Sequence, residues 1–195
     1  MEDKIANFME KEKQDPDLFY KIKLDGEDRV MNMYWIDGAA RRAYKKFHDC
    51  VSFDATYLTN MYKMTCAPFI SINNHIQSLH FGCGFIRNED AGSYIWLFKT
   101  FKECMGGLES MSIIIYQDFS MRAGIEEVFP NTIHRHSRWH VIKKAEETLG
   151  PFFGKRLELH KACELCVDHS LTPEEFERSW KEMIDKYQVE DNETL

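Results

Sequence analysis

Asp54 lies in the run VSFDATY, whose apolar and β-branched neighbours predict a strand with the aspartate in its middle. An ionised aspartate is rare inside a sheet unless it is paired or bound to a metal, so Asp54 is a candidate functional residue. A second acid, Asp118, ends the almost wholly apolar run SIIIYQD, where it is placed to cap the helix that follows. Histidines gather in HRHSRWH, in which His134, His136 and His140 could share a metal or simply pack among aromatic and basic neighbours. His160, Cys163, Cys166 and His169 recur every three residues, and two cysteines with two histidines are a common zinc set. That segment reads as one continuous helix, however, and residues at spacing three drift around a helix. Spread over about two and a half turns, four such ligands cannot meet on one ion. A break near Val167 would let some of them converge; buried structural cysteines are the other reading.

The elements that must position these residues follow from periodicity and turn chemistry. Residues 1–14 read as a short polar helix stopped by Asp15-Pro16-Asp17, because the residue before a proline avoids the helical region. LFYKIKL and RVMNMYWI alternate around an Asp25-Gly26 turn and predict a hairpin. Gly38 to His48 predicts a helix. CVSFDATYL, MTCAPFISI and LHFGCGFI predict three successive strands. A helix with Tyr94, Trp96, Leu97, Phe98 and Phe101 comes next, then SIIIYQD as a strand covered on both faces, then the helix MRAGIEEVF, closed by Pro130. Three strands, a helix, a strand and a helix make an α/β order with a mixed sheet, the order of the RNase H-like fold. Beyond it, helices are predicted over Trp139–Leu149 and Phe152–Val167. The last helix starts at a capping box formed by Thr172, Pro173 and Glu175. Its apolar face holds Phe176, Trp180, Met183, Ile184 and Tyr187. Three parts result: 1–48 leading into the core, 49–145 as the RNase H-like domain, and 146–195 as a helical segment.

Composition bounds the function classes. Hydrophobic residues make up 44% of the chain, with 14 Phe, 8 Tyr and 4 Trp, enough to bury a core rather than form a disordered tail. The formal net charge of −7 argues against DNA contact by this segment alone, because nucleic-acid binders neutralise phosphates with clustered bases. Arg41, Arg42, Lys45 and Lys46, and Arg135, Arg138, Lys143 and Lys144, do cluster, as on solvated helix faces. No apolar run is long enough to predict a membrane span, and the opening MEDKIANFMEKEK has no apolar signal core. Six cysteines scattered among apolar residues fit a reducing, intracellular compartment.

Several segments in order, DPDLFYKIKLD, VSFDATYLTNMY, APFISINNHIQS, GSYIWLFKTF, IEEVFPNTIHRH, WHVIKK and LTPEEFE, resemble the transposase-like domain of the plant far-red-impaired-response family. The resemblance covers most of the chain. It implies descent from Mutator-like (MULE) transposases and a role in nuclear regulation of transcription, notably in light signalling. It also implies a zinc-chelating DNA-binding region before this core and a SWIM-type zinc finger after it, so zinc is expected outside this chain.

Mutator-like transposases are DDE enzymes, in which three carboxylates hold two divalent ions about 3.5–4 Å apart for phosphoryl transfer. Asp54 matches the first of these acids, as a relic of the metal site. Aligning Gln117, Asp118 and Met121 with the family pattern puts Tyr116 where the second belongs. Tyrosine keeps its proton until about pH 10 and is a poor magnesium ligand. Asp118 could replace it only if the strand continued. The third acid belongs downstream of Leu195. Many relatives also carry a cysteine three residues before a histidine, where this chain has Ser137 and His140. The expectation is therefore a catalytically inactive scaffold or interaction domain that binds protein partners or itself. No metal is assigned, although His140, Cys163 and Cys166 are candidate ligands and Mg2+ would be required by an active enzyme. The alternatives are an active or partly active DDE transposase or nuclease, and a decayed fragment.

Overall fold

The structure is a computed structural model that describes residues 10, 13–55 and 63–190. The expected N-terminal helix therefore lies almost wholly outside the described residues, as does the end of the CVSFDATYL segment. The chain forms two compact units, residues 1–137 and 138–195.

Among the described residues, the first unit is a seven-stranded mixed sheet with three helices. In chain order its elements are β1 (Phe19–Leu24), β2 (Val30–Ile36), α1 (Gly38–Phe47), β3 (Cys50–Phe53), β4 (Thr65–Ile72), β5 (Ser78–Ile86), α2 (Ala91–Cys104), β6 (Ser112–Ile115), α3 (Phe119–Val128) and β7 (Ile133–His136). The spatial order is β1-β2-β5-β4-β3-β6-β7. From β1 to β3 every neighbour is antiparallel; β6 runs parallel to β3, and β7 parallel to β6. The five strands β5-β4-β3-β6-β7 reproduce the RNase H-like order, and the hairpin β1-β2 extends the same sheet through β5.

Local chemistry explains the element ends. Each of α1, α2 and α3 opens on an aspartate whose carboxylate accepts a backbone N–H: Asp37 from Ala40, Asp90 from Ser93 and Asp118 from Met121, all at 2.7 Å. In the β1–β2 turn, the Asp25 carboxylate accepts the N–H groups of Glu27 and Arg29 at 2.9 Å. Pro68 sits in an inner strand, where its missing N–H would break the ladder, but the β4–β5 register shifts at that point. Pro68 pairs with Cys83, and the next residue of β5 at the shift, Gly82, takes φ +93, a conformation that side chains resist; a β-carbon there would collide with the Tyr34 hydroxyl. That hydroxyl donates to the Phe81 carbonyl at 2.6 Å.

Strand alternation delivers Tyr34, Ile36, Val51, Phe53, Ala67, Phe69 and Phe81 to one core with Tyr44 of α1, Tyr94, Leu97, Phe98 and Phe101 of α2, and Met121 and Ile125 of α3. The aromatic rings interlock: Phe69 stacks on Phe101 at 4.0 Å, and Phe53 meets Phe98 edge-on at 4.9 Å. The helices α2 and α3 approach closely at Gly124, where a β-carbon would lie 3.0 Å from the Phe98 ring.

The second unit is helical: α4 (Arg138–Phe153), α5 (Leu157–His169) and α6 (Pro173–Tyr187). Two expected helix boundaries shift. The α4 helix runs through Pro151, and the break comes at 154–156 rather than between Leu149 and Phe152. A proline in the last turn sacrifices a single hydrogen bond, so the helix ends a few residues beyond it. At α6 the Thr172 hydroxyl accepts the Glu175 N–H, while the Glu175 carboxylate reaches back to the Leu171 N–H. The unit's core is Leu149, Phe153, Leu159, Cys163, Cys166, Met183 and Val189, with Phe176, Trp180, Ile184 and Tyr187 packed half-buried against it. Trp180, expected in the core, is thus at its margin. Arg138 and Asp168 pair across α4 and α5. Among the described residues no helix is long and apolar enough to cross a membrane.

Candidate functional site

The site forms at the carboxyl ends of β3 and β6, neighbouring parallel strands of the sheet. Crevices outside the carboxyl ends of strands are where α/β sheets place ligands. Asp54 is not mid-strand as expected but the first residue past β3, and is half-buried. The parallel register pairs Ser52 with Ile114, so continuing both strands by two residues sets Asp54 level with Tyr116. The Asp54 carboxylate is close enough to Tyr116 to act on its phenol, while the Tyr116 ring packs half-buried against the core of the sheet unit. The two residues are near neighbours on one rim.

Tyr116 belongs to a hydrogen-bonded network that the sequence reading missed. Its hydroxyl donates to Glu89 Oε2 at 3.5 Å, and the Tyr94 hydroxyl donates to the same oxygen at 3.4 Å. The other carboxylate oxygen, Oε1, accepts the Thr65 hydroxyl at 2.8 Å. Glu89 comes from the turn between β5 and α2, next to the cap residue Asp90. Only its position beside a helix cap in RNEDAGS marks it in the sequence, and such a glutamate reads as solvated surface.

Burial is the main reason the Tyr116 phenol is pushed up to about 12; the carboxylates of Glu89, Asp118 and Asp54 raise it further, against a lowering hydrogen bond with Tyr94. Burial likewise holds Tyr94 well above the ordinary phenol value. Both rings therefore carry protons at neutral pH and act as donors to carboxylate, not as anionic ligands. Asp118 faces this cluster electrostatically, but one of its carboxylate oxygens caps α3. Among the described residues, Asp54, Glu89 and Asp118 do not form a group whose ligand atoms all lie within 4.8 Å of one another.

Residues 50–144 match the MULE transposase domain, which spans β3 to the first turns of α4. Over 180 residues, 92% of this chain, the sequence is 38% identical to Protein FAR1-RELATED SEQUENCE 5 of Arabidopsis thaliana. It is 33% identical over 195 residues to Protein FAR-RED IMPAIRED RESPONSE 1 of the same plant. The chain is a far-red-impaired-response relative that carries a MULE transposase domain. It spans 23% of the length of each of these two relatives.

The histidines and cysteines singled out from the sequence fall into both units. His134 and His136 lie in β7, a short edge strand that was read only as a histidine cluster; with spacing two, their rings meet at 4.9 Å. Burial is the first cause lowering the His134 pKa, and its neighbour His136 adds to it. His140 belongs to α4, where its ring meets Trp139 at 4.7 Å. Cys163 and Cys166 sit in the apolar core of the helical unit, and burial raises both thiols, disfavouring the thiolates that zinc requires. The α5 helix is unbroken to His169, so His160, Cys163, Cys166 and His169 do not converge. His160 instead turns toward carboxylates.

Proposed function

We propose that this chain is a catalytically inactive, transposase-derived domain that serves as a scaffold for protein contacts, including self-association, within a nuclear regulator of transcription of the light-signalling type. The observation that carries this reading is Tyr116, which stands beside Asp54 at the carboxyl ends of β3 and β6 and donates its proton to Glu89. A phenol held up to about pH 12 supplies no charge at neutral pH, so Tyr116 would be a poor ligand where an active enzyme of this kind would hold magnesium with a carboxylate. The nuclear setting and the regulatory role rest on the family relation.

The competing reading is an active or partly active enzyme in which Glu89 replaces the missing aspartate. Its support is the closeness of Glu89 to the Asp54–Tyr116 rim. Against it, three hydroxyl groups already occupy the Glu89 oxygens, and an ion would have to displace them.

The test pairs chemistry with regulation. The purified chain is assayed for Mg2+- and Mn2+-dependent cleavage and strand transfer on DNA, and Asp54→Asn is compared with the parent in a plant-cell reporter assay on the full-length protein. The expected result is no cleavage and unchanged reporter output. Metal-dependent cleavage abolished by Asp54→Asn, or reporter output lost while the variant remains folded, refutes the inactive scaffold.

A further inference from the structure

We propose that the helical unit carries a binding site for a divalent first-row transition metal, zinc in the first instance, formed by Glu146 of α4 with His160 and Glu164 of α5. The site is separate from the DDE remnant and does not depend on the function proposed above.

His160 and Glu164 are four residues apart on one helix and so lie on the same face. Glu146 reaches them from the neighbouring helix, and one ligand atom from each of the three residues lies within 4.8 Å of the others. The imidazole Nε2 stands 3.8 Å from a Glu164 oxygen. The ring is half-buried and stacks on Phe153, with centroids 4.7 Å apart and planes 19° from parallel. That stacking restricts the ring before any ion arrives, which lowers the ordering cost of binding.

The bland alternative is a surface histidine shared by two acids. Two features favour a metal instead. Glu146 and Glu164 are held close together without a lysine or arginine partner among the described residues, so two like charges share one spot. A dication would relieve that repulsion. The donor set is also mixed: imidazole nitrogen with carboxylate oxygens suits zinc, cobalt or manganese, whereas magnesium and calcium take oxygen alone. Three protein ligands leave a further position for water, as in open zinc sites. Both carboxylates are exposed, so an ion can enter from solvent. Because the ligands come from both sides of the 154–156 turn, a bound ion would clip α4 to α5 and stabilise the helical unit.

The test uses the full chain, stripped with chelator and titrated with Zn2+, Co2+ or Mg2+, reading the thermal midpoint by circular dichroism and the visible absorption of bound Co2+. The expected result is a saturable rise with Zn2+ and a Co2+ spectrum at one ion per chain, with little response to Mg2+. Glu146→Gln and Glu164→Gln, at exposed positions that keep shape, should each weaken binding at least tenfold; Cys163→Ser should leave it unchanged. His160→Gln should abolish binding, but this variant also disturbs the Phe153 stack, so the glutamate variants decide. The proposal fails if Zn2+ produces no rise, if the rise survives both glutamate variants, if it is lost in Cys163→Ser, or if Mg2+ produces it equally.

Discussion

At the scale of single residues, what replaces an acid matters as much as what is lost. Tyr116 stands as a neutral donor among three acids, Asp54, Glu89 and Asp118, whose charges help to hold its phenol protonated. Tyr116→Asp should therefore add a fourth carboxylate to a crowded rim and destabilise the chain by about 1–3 kcal/mol in chelator. Mg2+ or Mn2+ should restore part of that loss in a thermal melt. A variant as stable as the parent and indifferent to ions would show that positions 54 and 116 are not neighbours. Asp54 and Tyr116 could be singled out in the sequence because each adjoins a recognisable strand, although both lie just past its end. Glu89 was not, because its partners Thr65, Tyr94 and Tyr116 come from β4, α2 and the end of β6, and nothing local announces their meeting.

Asp25 gives a second residue-scale prediction. The Arg29 backbone N–H, and then the Arg29 guanidinium, hold its carboxyl down at about 2 against an ordinary value of 3.8. A carboxyl with a depressed folded pKa stabilises the fold above its unfolded value, and that contribution is lost as pH falls through the folded value. The turn should therefore keep its full contribution above about pH 4 and lose it between about pH 4 and pH 2. An NMR titration of the Asp25 carboxyl in the folded chain checks the direction; a midpoint near 4 would contradict it.

At the scale of elements, strands with clear alternation and helices with aspartate caps were readable in advance, and β1, β2, β4, β5, α1, α2, α3 and α6 fall where the sequence puts them. The edge strand β7 was not readable: its four residues, IHRH, have no apolar alternation, and they become a strand by pairing with β6. Tertiary pairing there overrides local propensity. The bulge at Gly82 is a further long-range effect, since its need for a positive φ arises from the Tyr34 hydroxyl and the register shift opposite Pro68. Gly82→Ala should cost about 2–4 kcal/mol through backbone strain and collision with Tyr34. Urea denaturation measures it, and a change below about 1 kcal/mol would mean that β5 can straighten without penalty.

At the scale of the whole molecule, the two units are built on different principles, and the sequence shows why. The sheet unit fills its core with rings from strands and helices that lie far apart in the chain, so its stability is collective. The helical unit fills its core from three helices consecutive in sequence. No buried residue is common to the two clusters. Phe98→Ala should cost about 3–5 kcal/mol in the first, and Leu159→Ala about 2–5 kcal/mol in the second. Because these side chains belong to different core clusters, the double variant should lose the sum of the two within about 0.5 kcal/mol. Trp180→Ala, at the half-buried margin of the helical core, should cost less than Leu159→Ala despite removing a larger ring. Equilibrium unfolding of the single and double variants decides the matter. A double variant that departs from the sum by markedly more than this would mean that the two substitutions are energetically coupled.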